Sequence, residues 1–155
     1  RIESCCEMKH LLLTTIAAVL LVGCATAQSP HKALSSSEAP AAIGPYSQAV
    51  QVGDVVYLAG QIGINPASGV LVEGGIKAQT KQALDNLGAV LKEAGMDYDN
   101  VVRATVFLSD VNNFQTMNGV YGEYFKSDHP PSRSTVEVGG IPRGALVEID
   151  FIAVK

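Results

Sequence analysis

The stretch Pro130-Pro131-Ser132-Arg133-Ser134-Thr135 sets one arginine between small hydroxyl residues, directly after two prolines. A planar guanidinium takes a carboxylate by two parallel hydrogen bonds. Proline fixes φ and restricts the segment that would present it. The chemistry such a segment suits is the capture of a small anion in one geometry; a solvated loop arginine is the plain alternative. Further on, Glu148 and Asp150 alternate with Leu146, Ile152 and Val154 along one side of the last strand-like run. That side is too apolar for open solvent and too charged for a core. A subunit interface containing a wet pocket satisfies both halves.

Other chemistries lack their residues. The cysteines are Cys5, Cys6 and Cys24, all near the amino end. The rest of the chain therefore has no internal disulfide, thiol nucleophile or cysteine metal site. Only His31 and His129 lie beyond the leader, so neither a zinc site nor a Ser-His-Asp arrangement is expected. The net charge is −4 and no basic run occurs, which argues against a nucleic-acid partner. With 47% apolar and 17% charged residues, the composition is that of a globular domain.

The elements that must position these residues are legible from periodicity. Two strand-like runs over residues 46–64 are joined by Gly53-Asp54, a two-residue hairpin signal. Asn65 to Gly69 mark a turn. Apolar residues at 76, 83, 84, 87, 90, 91 and 94 recur with the helical period, and Gly95 suits the end of that helix. Residues 101–108 are rich in β-branched side chains and read as a strand. Phe114, Met117, Tyr121, Tyr124 and Phe125 mark a second helix. Residues 134–138 and 146–154 read as closing strands. The predicted order is ββαβαββ, an α+β fold with a mixed sheet and both helices on one face. In the last strand Val147, Ile149, Phe151 and Ala153 should face the helices.

Residues 8–27 read as an export signal: a positive start at Lys9, an apolar or Thr run from Leu11 to Val22, then small residues. The run falls short of the ~20 residues that span a bilayer. Residues 1–7 precede the first plausible start, Met8, and read as upstream sequence. "LVGC" resembles a lipobox ending in Cys24, and "ATA" before Gln28 suits ordinary signal cleavage; lipidation at Cys24 is the favoured of the two. The expected location is the periplasm, with membrane attachment by lipid only. Residues 28–41, rich in Ser, Ala and Pro, read as a flexible linker ahead of a domain over 42–155.

Five segments carry a more specific resemblance: "AIGPYSQAV" (42–50), "VYLAGQI" (56–62), "QTKQALDNLGAVLKEAG" (79–95), "VVRATVFLSDVNNFQTMNGVYGEYF" (101–125) and "PSRSTVEVGGIPRGALVEI" (131–149). Together they resemble the Rid family, the RidA/YjgF-type enamine and imine deaminases. The resemblance implies a chorismate-mutase-like subunit in a homotrimer with sites between subunits. It also implies hydrolysis of 2-aminoacrylate and related 2-imino acids to 2-keto acids and ammonia, without metal or organic cofactor.

Residue by residue, the resemblance implies catalytic roles for Arg133, Glu148 and Tyr46. Arg133 would clamp the substrate carboxylate. Glu148 would position water and carry its proton, aided by a partial burial that raises its pKa. Tyr46 would cover the substrate. Gly60, Gln61, Asn118, Ser134 and Thr135 would bind substrate, Thr135 through its backbone. The chain departs from many relatives in having Ala59 for Ser and Thr135 for Cys. A non-enzymatic carboxylate-binding or chaperone-like trimer of the same fold is the competing class, but a binder has little use for a general base. Ribonuclease activity fits poorly with the acidic charge.

Overall fold

A computed structural model describes residues 31–155. The expectations for the leader, Cys24 and residues 28–30 of the linker lie outside the described residues. Six strands form one sheet: β1 (Lys32–Leu34), β2 (Ala49–Val52), β3 (Val55–Ile62), β4 (Val101–Leu108), β5 (Ser132–Glu137) and β6 (Val147–Val154). Two helices, α1 (Gly75–Glu93) and α2 (Phe114–Tyr121), complete the fold.

The strand order is β1-β2-β3-β6-β4-β5. Only β4 and β5 run parallel; every other neighbouring pair is antiparallel. The parallel pair needs a crossover, and α2 supplies it. Helix α1 likewise joins β3 to β4, leaving a gap that β6 fills in antiparallel register with both. Both helices pack on one face.

The hairpin turns at Gly53, whose φ of 59° lies in the left-handed region, with Val52 opposite Val55. Helix α1 buries Ala83, Leu84, Leu87, Val90 and Leu91 along one stripe. It ends in a paired cap: the Gly95 N–H donates to Lys92 O at 3.0 Å and the Met96 N–H to Leu91 O at 3.0 Å. Gly95, with φ 71°, makes that reversal possible.

Strand β6 alternates as expected. Val147, Ile149, Phe151 and Ala153 are buried beneath the helices; Glu148, Asp150, Ile152 and Val154 are half-buried on the other face. Tyr57 (50% exposed) and Val136 (44%) extend the apolar part of that second face.

Three expectations are corrected. Residues 32–40 are not a tether. β1 pairs with β2, Leu34 and Ala39 enter the core, and the buried Gln48 side chain stitches the arm down. Its Oε1 accepts from the Ser36 N–H at 2.6 Å, and its Nε2 donates to Ser36 O at 3.2 Å and Pro40 O at 2.7 Å. Ser/Ala/Pro content concealed two apolar anchors.

Helix α2 stops at Tyr121, because Gly122 caps it after a segment weakened by Gly119. Tyr124 and Phe125 follow in a turn, still packed on the core. Finally, Arg133 lies within strand β5, opposite Ala104 of β4, and not in a loop. The prolines precede the strand, and ladder pairing holds the arginine.

Candidate functional site

Two groups of the expected site residues come together, at two separate places. The first lines a cleft beside the β3–β6 pair: Tyr46, Gly60, Gln61 and Glu148, with Ile43 and Pro142 among its walls. Between Leu58 and Gln61 the β3–β6 register shifts, so Ala59 and Gly60 together oppose Asp150. Such a bulge re-aims side chains at a sheet edge or site. Gly60 also clears space. A Cβ there would lie 2.9 Å from the carboxyl carbon of Glu148 and nearer still to its Oε1.

Burial pushes the Glu148 carboxyl above its ordinary range, and the like charge of Asp150 pushes it further. Tyr46 is exposed, and its hydroxyl accepts from the Ile43 N–H at 3.3 Å, folding the preceding loop against the ring. Gln61 is 6% exposed and sits in register with Ile149, on the helix-side row.

The second group forms where β5 meets α2. Arg133 Nη2 donates to Asn118 Oδ1 at 2.6 Å. The guanidinium carbon stands 4.4 Å from the centre of the Tyr121 ring and 5.9 Å from that of Phe114. Among the described residues no carboxylate pairs with Arg133. A half-buried cation without a counter-ion leaves its charge free to attract an anion. Thr135 lies on the same side of β5, its Oγ1 buried without a partner among the described residues. Ser134 points the opposite way, where its Oγ accepts from Arg103 Nη2 at 3.0 Å. Its side chain therefore does not join Arg133.

One protomer does not unite the two groups. Arg133 shares a row with Ala104 and Phe151, the helix-side row, whereas Glu148 aligns with Phe107 on the other face. Three residues along and two strands across put their backbones ~14 Å apart. The Tyr46–Glu148 cleft holds only about 80 Å³, well below the ~300–1,000 Å³ of a complete small-molecule pocket.

The chain is similar to known proteins in sequence and in fold. The family described as Endoribonuclease L-PSP matches residues 36–155. The chain belongs to this family, that of the Rid proteins. The 2-iminobutanoate/2-iminopropanoate deaminase of Bos taurus is 53% identical over 125 residues, covering 81% of this chain and 90% of the bovine protein. The solved Rid-family protein YyfA of Yersinia pestis superposes with a TM-score of 0.78 at 47% identity, covering 81% of this chain and 99% of that one. E. coli TdcF, solved with bound serine, superposes at 0.76 with 36% identity, covering 80% and 98%. The Rid match starts at residue 36, inside the arm that folds onto the domain.

In this Rid chain, sequence reasoning missed two contributions. Pro40 and Ala41 form part of the cleft wall, although their composition reads as linker. Tyr121, read only as a helix marker, carries the Arg133 guanidinium on its ring. Its spacing of three from Asn118 places both on one helical face, a signal that becomes readable once β5 is known to cross that face. Asn118, expected to bind substrate, accepts from Arg133 through its side-chain oxygen.

Proposed function

We propose that this protein is a hydrolytic deaminase that converts 2-aminoacrylate and small 2-imino acids to 2-keto acids and ammonia. The observation that carries the reading is Glu148, a half-buried carboxylate in an open cleft, held above the ordinary carboxylate range by burial and by the like charge of Asp150. A mere carboxylate binder has no need of such a base. Relatives about half identical to this chain are named 2-iminobutanoate/2-iminopropanoate deaminase, which supports the same reading.

2-Aminoacrylate enters as its imine tautomer, formed by proton transfer from nitrogen to the methylene carbon. Arg133 holds the substrate carboxylate by its free donors, which turns the adjacent C=N carbon toward Glu148. Glu148 accepts a proton from water as the water oxygen bonds to that carbon. Glu148 returns that proton to the nitrogen to give the carbinolamine. As the C–N bond breaks, the carbinolamine hydroxyl passes its proton by way of Glu148 to the leaving nitrogen, so that ammonia and the keto acid remain. Tyr46 covers the substrate and hydrogen-bonds the water or the carboxylate.

The complete site lies between two copies, with Arg133 from one and Glu148 and Tyr46 from the next. The separation of the half-sites and the apolar second face of the sheet favour this, and a homotrimer closes the arrangement. The leader directs export, with lipid on Cys24. Cys24→Ser should abolish lipid labelling; a full-length leader retained on a cytoplasmic protein would refute export.

The test of activity is ammonia and keto-acid release from imines generated in situ by an amino-acid oxidase, after subtraction of the spontaneous rate. An excess that scales with this protein is expected. Hydrolysis at the spontaneous rate by a folded oligomer overturns the reading.

A further inference from the structure

We propose that Tyr121 is a positioning residue for this reaction: its ring, braced by Phe125, holds the Arg133 guanidinium in the orientation that receives the substrate carboxylate. The inference rests on the proposed role of Arg133.

A continuous aromatic stack runs from the core to the cation. Phe151 is fully buried, and Phe125 meets it edge-on at 5.7 Å and 83°. Tyr121 stacks on Phe125 at 4.4 Å and 25°. Arg133 lies over Tyr121 at 4.4 Å. Asn118, one turn earlier on α2, takes Nη2. A ring below the guanidinium plane and an acceptor at one corner fix both its tilt and its rotation. Asn118 uses one of the two Nη2 hydrogens; the other, with a hydrogen on Nη1 or Nε, leaves one edge of the guanidinium for a bidentate partner.

The choice of an aromatic support has a reason. A carboxylate would hold Arg133 at least as firmly, but it would neutralise the charge that the substrate must find. A ring attracts the cation through its quadrupole and leaves the net charge intact. Burial pushes the Tyr121 phenol up to about 12 although Arg133 pulls it down, so the ring is uncharged at neutral pH. The hydroxyl has no partner among the described residues. The ring is therefore the supporting part, and a phenyl ring should serve.

The experiment compares Tyr121→Phe, Tyr121→Leu and Arg133→Ala in the full chain, reading kcat, KM and the affinity for 2-ketobutanoate by calorimetry. Tyr121→Leu should weaken 2-ketobutanoate binding and raise KM by about 10-fold, with a smaller change in kcat. Tyr121→Phe should stay within about 2-fold of wild type on both. If Tyr121→Leu does not fold, Tyr121→Met, which refills the volume without a π face, is judged by the same figures. A folded Leu or Met variant with wild-type affinity overturns the inference, as does a Phe variant as impaired as the Leu one. Wild-type hydrolysis by Arg133→Ala would overturn the clamp itself and this inference with it. A severe Arg133→Ala defect beside an unaffected Tyr121→Leu would overturn only the role of the ring.

Discussion

At the scale of single residues, the proposed mechanism divides the work between Arg133 and Glu148, so their variants should fail differently. Arg133→Lys keeps a charge but loses the fork, so orientation suffers as well as affinity. A loss of ~2–4 kcal/mol of transition-state stabilisation, roughly 30- to 1,000-fold in kcat/KM, is expected from steady-state kinetics. Glu148→Gln should lower kcat by about 100-fold and still bind a 2-keto acid. The raised ionisation of Glu148 also sets a pH dependence. The base must be charged to work, so the acid limb of kcat/KM should lie above the ordinary carboxylate range. Asp150→Asn removes the like charge and should move that limb to lower pH, while burial keeps it from returning fully. Stability runs the other way. Glu148 binds its proton more tightly folded than unfolded, so its favourable contribution holds below the unfolded value and is lost as pH rises through the folded one. Glu148→Gln should therefore raise Tm relative to wild type at pH 7 but not at pH 4.

Two glycines of the β3 region show how elements constrain the site. Gly60→Ala meets only the end of a flexible side chain, the Glu148 carboxyl, which can swing away. The fold should survive while activity drops by ~10- to 100-fold, because the base is displaced. Gly63→Ala meets the backbone of Gln79 on α1 at 2.6 Å, which cannot swing. Denaturant titration should show a loss of about 1–3 kcal/mol in stability for Gly63→Ala. Besides the β1–β2 ladder and the buried Leu34 and Ala39, one side chain holds the amino-terminal arm. Gln48→Ala would unpair the buried Ser36 groups and Pro40 O, at a cost of about 1–3 kcal/mol. Because Pro40 and Ala41 wall the cleft, KM should rise as well.

For the whole molecule, the half-sites make a prediction that no single-chain site can satisfy. Light scattering should give three times the monomer mass. Arg133→Ala and Glu148→Gln protein, each nearly inactive alone, should regain activity when refolded together. In a random equal mixture about a quarter of the interfaces would pair an intact arginine half with an intact glutamate half. Activity near a quarter of wild type is expected; no recovery in mixed oligomers would place both residues in one subunit's site.

The amino-acid sequence by itself determined the order of the elements after β1, because period 2 and period 3.6 are local properties of the chain. The Gly53 turn, the α1 stripe, the Gly95 cap and the two-faced β6 can all be read without knowing any neighbour. It also marked Arg133 and Glu148, since a signature of contiguous residues survives without coordinates. Only the tertiary structure decided which face each residue occupies relative to the other. Arg133 and Glu148 fall on opposite faces because β6 inserts between β3 and β4, and strand order is set by long-range pairing that no local pattern encodes. The same holds for the arm, whose polar composition reads as linker until Gln48 satisfies its backbone, and for Tyr121. Its ring is an ordinary core aromatic until the β4–α2–β5 crossover brings Arg133 over it.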